Sequence, residues 1–150
     1  MHVLRSGYDG LDVAFQINIP PAFEMALEWA QGEARRMKED CPLSYRGNHM
    51  MVADGGSKGG YAFRCDTGEV GETWFFKRAN QGNRDHWGIR VSVKGVTLAV
   101  YGLDGVEKRL FGFLADLGIH LPPMAHSIGR VDYAIDFLAP WFEPDREALV

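Results

Sequence analysis

Three segments of this chain alternate apolar and polar residues with a period of two, which commits the fold to a sheet with one buried and one open face. In LDVAFQINI (11–19), Leu11, Val13, Phe15, Ile17 and Ile19 oppose Asp12, Ala14, Gln16 and Asn18. In WGIRVSVK (87–94), Ile89, Val91 and Val93 oppose Arg90, Ser92 and Lys94. In SIGRVDYAIDF (127–137), Val131, Tyr133, Ile135 and Phe137 oppose Arg130, Asp132, Ala134 and Asp136. Successive side chains of a strand point to opposite faces, so each segment buries one side and presents the other. The presented side is charged in the last two segments. That side is either a solvated surface or a site.

The remaining elements follow from spacing and punctuation. The prolines at 20 and 21 stop the first strand, and Pro21 suits the first turn of a helix. That helix runs to about Glu39, with Phe23, Leu27, Ala30, Ala34 and Met37 at helical spacing and Glu24, Glu28, Glu33 and Arg36 outside. After Pro42, strands are expected at 48–54, 60–66 and 72–78, joined by connectors rich in Gly and Asn. A second helix is expected over 103–117, with Leu103, Val106, Leu110, Phe113, Leu114 and Leu117 on one stripe. Gly118 caps it, with Ile119 behind. Residues 96–102 either continue the strand or open the helix. The order is β-α-β-β-β-β-α-β, an α+β fold in which an antiparallel sheet carries both helices on one face. Its 150 residues suit one domain over 1–150.

Composition excludes several classes. There is no apolar run long enough to span a membrane, and the N-terminus lacks the apolar core of a signal peptide. Cys41 and Cys65 form no CxxC pair and read as reduced thiols of a cytoplasmic protein. The histidines (His2, His49, His86, His120, His126) have no zinc-binding spacing. The net charge of −4 opposes strong nucleic-acid binding, but its distribution does not. Residues 46–94 hold eight basic and five acidic side chains, whereas 1–45 hold four and seven and 95–150 hold four and eight. A basic middle between acidic flanks can contact phosphates. DGGSKGG (54–60) lacks the spacing of a phosphate loop and reads as a hairpin turn. TWFFK (73–77) could stack bases on an open face, and reads more simply as core. Were 87–94 and the last strand adjacent, carboxylates and basic groups would share one surface. A metal-assisted phosphodiester site needs that arrangement, and a salt-bridged sheet surface has it too.

The segment WGIRVSVKGVTLAVYGLDGVEKRLFGFLADLGI followed by SIGRVDYAIDF resembles plasmid and phage replication initiation proteins of the rolling-circle type. Arg130, Val131, Asp132, Ala134 and Asp136 match that family's R-[IV]-D-x-A-x-D strand, and GYDGLDVAFQINIP resembles its opening strand. The resemblance implies a ferredoxin-like, relaxase-type domain that nicks DNA. A divalent metal, Mg²⁺ or Mn²⁺, polarises a phosphate there and a tyrosine attacks it. Asp132 and Asp136 are then the expected metal ligands, since carboxylate oxygens suit hard cations. Arg90, Ser92, Lys94 and Arg130 are the expected contacts to single-stranded or origin DNA.

Strand geometry narrows this further. Residues four apart on a strand lie about 13 Å apart, while two carboxylate arms meeting at one ion span roughly 10 Å. Either one aspartate ligates while the other orients a neighbour, or a bulge shortens the gap. Asp132, the more interior, is the expected ligand. The family's nucleophilic tyrosine lies downstream of this strand, and none of Tyr8, Tyr45, Tyr61, Tyr101 and Tyr133 matches its place. The chain alone is therefore not expected to nick. It reads as the N-terminal portion of an initiator, or alternatively as a stand-alone binding module of phage or plasmid origin that inhibits a host defence protein.

Overall fold

The computed structural model describes residues 10–79 and 86–119, with the backbone of Arg130 and Val131. Along the chain come β1 (Gly10–Phe15), α1 (Pro21–Met37), β2 (Cys41–Tyr45), β3 (Asn48–Val52), β4 (Phe63–Asp66), β5 (Glu72–Phe76), β6 (Ile89–Lys94), α2 (Gly95–Asp116) and β7 (Arg130–Val131). The strands form one sheet in the order β2-β3-β4-β5-β6-β1-β7, antiparallel at every pairing. β6 and β7 are both antiparallel to β1, so they run parallel to each other on its two sides. The β6-α2-β7 unit is thus a crossover with a strand inserted in its middle.

The sheet's register explains how the helices attach. One row crosses the buried face through Val13, Val91, Trp74, Cys65, Val52 and Cys41. A second runs through Phe15, Ile89, Phe76 and Phe63. Trp74 and Phe76 are two residues apart and share this face. Phe23 of α1 meets Phe76 edge-on at 5.1 Å, and Phe113 of α2 lies 4.5 Å from Trp74. Both helices therefore cover the same face, as the alternation requires, and no described helix covers the other.

Two differences from the sequence reading have local causes. β2 is an additional strand, built around Pro42 and ahead of the first strand expected after it. It lies at the sheet edge, the position where a strand tolerates a residue without an N–H. Residues 96–102 open the helix rather than extend β6, with Lys94 as N-cap and Gly95 already helical. Gly102, at φ 74° and ψ 170°, then kinks α2.

Helix ends follow the residues present. Pro20 and Pro21 start α1 without a side-chain cap, and Lys38 closes it in the left-handed region. α2 ends in the expected glycine cap: Gly118 N–H donates to the Ala115 carbonyl and Ile119 N–H to that of Leu114, both at 2.9 Å. Gly118 has φ +84°, and a Cβ there would lie 2.5 Å from Arg46 Nη1. Gly118→Ala is expected to lose about 1 kcal/mol. Gly112→Ala, at an α2 position with nothing within 4 Å, is expected to gain up to about 1 kcal/mol. Urea unfolding midpoints of the two variants measure both effects.

Candidate functional site

The open face has its own rows. Asp12, Ser92, Thr73, Asp66 and Met51 form one, and Ala14, Arg90, Phe75 and Arg64 form the next. In that second row the backbone of Arg130 stands opposite Ala14. β6 and β7 are therefore not paired. β1 separates them, so Arg90 and Arg130 sit two strand spacings apart, about 10 Å.

Arg90 is the centre of this face. Its guanidinium lies 4.3 Å from the Phe75 ring centre and 5.3 Å from that of Tyr61. Tyr61 arrives from the 54–60 turn, which closes through a bridge between Ser57 and Tyr61. Gly59 and Gly60 both take φ +87°, and a Cβ on Gly56 would lie 1.9 Å from the Tyr61 carbonyl oxygen, so only glycine fits. The turn lays Tyr61 edge-on against Phe75, with the hydroxyl donating to the Trp87 carbonyl at 3.4 Å. Lys77 Nζ sits 5.0 Å over the same ring.

Beside this stack opens a hollow of about 380 Å³ lined by Asp12, Ala14, Gly59, Tyr61, Trp87 and Arg90. Ala14, opposite Arg90, is small enough to leave the floor open. Arg90 Nε is buried, and its N–H finds no acceptor among the described residues. An unsatisfied buried donor costs about 1–3 kcal/mol. The other buried donor without a partner, Trp74 Nε1, lies in the core under α2.

The other site residues named from sequence fall into place around Arg90. Ser92 sits between Asp12 and Thr73, and Lys94 is exposed opposite Gly10. On and beside the strands of this face, Arg64, Lys77, Arg90 and Lys94 outnumber Asp12 and Asp66 among the described residues. Asp66 is already engaged, accepting from Thr73 Oγ1 at 2.6 Å and facing Arg64 at 3.7 Å. Asp132 and Asp136 lie outside the described residues. Among the described residues, no group of three or more His, Cys, Asp or Glu could hold a metal ion.

A second cleft, about 340 Å³, opens at the buried face between α2 and the β3–β5 end and includes Asn48, His49, Lys108 and Arg109. Its floor is Glu72, a carboxylate in the core-face row beside Val93 and only 3% exposed. Arg109 Nε donates to Glu72 Oε2 at 2.6 Å, and Thr67 Oγ1 donates to Oε1 at 2.9 Å. The Thr67 hydroxyl also accepts the Glu72 N–H at 2.8 Å. The hydrogen bond to Glu72 holds the Arg109 guanidinium above its ordinary value. Arg109 stacks on Tyr101 at 4.4 Å, and Thr97 Oγ1 donates to the Gly71 carbonyl at 2.7 Å. These bonds fasten α2 to the start of β5. Sequence alternation gave no sign of Glu72, because a lone carboxylate beside TWFF reads as a strand end.

Neither described cysteine is a nucleophile by environment. Both are buried, and burial, reinforced by the Asp66 carboxylate, pushes the Cys65 thiol far above its usual range. Comparison with protein-family models, curated proteins and solved structures returns no match.

Removing Arg109 tests the fastening. Arg109→Ala leaves a buried carboxylate without its cation and is expected to cost about 3 kcal/mol. Chemical denaturation measures it. A loss within about 0.5 kcal/mol, the range of an ordinary surface substitution, would show that water replaces the guanidinium freely.

Proposed function

We propose that the open sheet face binds single-stranded nucleic acid, as the DNA-contacting part of a rolling-circle replication initiator. One observation carries the reading: Arg90, its guanidinium 4.3 Å from the Phe75 ring centre and 5.3 Å from that of Tyr61, lines an open hollow and keeps a buried Nε–H without an acceptor among the described residues. Cationic groups that track the backbone, combined with aromatic rings, are what sequence-tolerant binding of single strands requires. An oxygen of the bound strand, on a phosphate or a base, suits the Arg90 guanidinium. Lys94 and Arg64 extend the positive surface along the sheet. The β6-α2-β7 crossover around β1 agrees with the ferredoxin-like arrangement implied by the resemblance, and the metal part of the reading rests on Asp132 and Asp136. Among the described residues, no helix is long and apolar enough to cross a membrane.

A second reading, a module that binds a host protein, has Met25 and Trp29 in its favour. They lie one turn apart on the outer side of α1, 69% and 60% exposed. An absence of any affinity for oligonucleotides would transfer the proposal to that surface.

Fluorescence anisotropy with a labelled oligo-dT decides between them. Arg90→Ala is expected to weaken binding by roughly tenfold, the scale of one combined stacking and cationic interaction. It should also flatten the dependence of log K on log salt by about 0.7 for each phosphate no longer neutralised. Tyr61→Ala should weaken binding with little change in that slope. Affinity unchanged in Arg90→Ala would overturn the assignment of this face. Calorimetry with Mn²⁺ tests the metal part separately: saturable binding is expected in the wild type and not in Asp132→Asn. Absence of heat in the wild type would remove the metal from the reading.

A further inference from the structure

We propose that the hollow beside Arg90 receives a guanine base of the bound single strand, read by Asp12. The inference rests on the nucleic-acid reading of this face and adds base identity to it.

Asp12 and Arg90 occupy diagonal positions on adjacent strands, since Asp12 pairs with Ser92 and Arg90 with Ala14. Diagonal neighbours in a sheet lie about 7–8 Å apart. Both side chains line the hollow, yet they form no ion pair with each other. Among the described residues Asp12 also has no hydrogen-bond partner, while Arg90 keeps its donor unsatisfied. An acidic and a basic side chain therefore line one space from adjacent strands, with the small Ala14 between them and Tyr61 and Trp87 beside it. A phosphate can satisfy only Arg90, because Asp12 repels it. The space calls for a flat group that donates on one edge and accepts on the next.

Among the four bases only guanine does this with two adjacent donors. Its N1–H and N2 amine present a pair of hydrogens that the two oxygens of a carboxylate can accept together. Its O6 and N7, on the neighbouring edge, are the acceptors an arginine reads. Adenine and cytosine set a ring nitrogen lone pair beside their amine, and thymine sets carbonyls on both sides of its single N–H. Each of those directs a lone pair at Asp12. A base splayed out of a single strand exposes these edges, whereas a base paired in a duplex does not.

The test uses the full chain and four labelled oligo-dT strands that differ only at one central base: guanine, adenine, cytosine or inosine. Unsubstituted oligo-dT is the reference. The guanine strand is expected to bind roughly tenfold more tightly, the scale of one bidentate base contact. Inosine, which keeps N1–H and lacks the N2 amine, should fall between guanine and the rest. In Asp12→Asn the guanine preference should vanish while affinity for oligo-dT rises, because a negative charge has left a phosphate-binding face. Equal affinity for all strands in the wild type, with binding still weakened by Arg90→Ala, would overturn the base assignment and leave the nucleic-acid reading in place. Absence of binding to any strand would overturn both.

Discussion

Both helices cover the same face of the sheet, and most of what is distinctive in the molecule depends on that. The row Val13–Val91–Trp74–Cys65–Val52–Cys41 is sealed from water by α1 and α2. Its mirror row, Ala14–Arg90–Phe75–Arg64, has no helix above it among the described residues. Yet Phe75 is buried, because Arg90 and Tyr61 lie over it. A charged side chain thus serves as the cover that a second helical layer would otherwise supply. The long stem and flat head of arginine suit that task, since both can lie on apolar surface while the charge stays near water.

Two arginines of this protein show how differently one side chain can be used. Arg109 meets a buried carboxylate and an aromatic ring, and the Glu72 oxygens are satisfied by Arg109 and Thr67. Its electrostatics serve to join a helix to a strand. Among the described residues, Arg90 has two rings beside it, no carboxylate in ion-pair contact, and a buried nitrogen without an acceptor. The first arrangement is closed and the second open. A buried charge fully matched within the protein has little left to offer a ligand, which is why the reading of function rests on Arg90 and not on the better-bonded cleft.

The period-two alternation made the open face legible: Arg90, Ser92 and Lys94 were assigned to it from sequence, and β6 presents them there. The caps at Gly118 and Pro21 were legible too, because each residue's backbone restriction permits few positions. Other features depended on pairings that a local pattern does not encode. Nothing in SIGRVDYAIDF says that β1 lies between it and β6, so their adjacency could not be read. TWFFK reads as core, and Trp74 and Phe76 are core, but Phe75 between them belongs to the other face. Tyr61 reaches Phe75 only because three glycines fold the 54–60 turn back on the sheet. Glu72 was hidden for a similar reason, since its cation lies on a helix 37 positions away.

The junction between β6 and α2 has a mechanical side. Lys94 ends the strand and Gly95 begins the helix, with no connecting residues between them. A loop would let the strand shift along its axis without disturbing the helix. Here the strand that bears Arg90 runs directly into the first two turns of α2. The first place where the chain can bend is Gly102, whose left-handed backbone already interrupts the helix. Beyond it lies Arg109 in its clasp with Glu72. The two arginines, one open and one closed, therefore lie on one continuous strand and helix with the Gly102 kink between them.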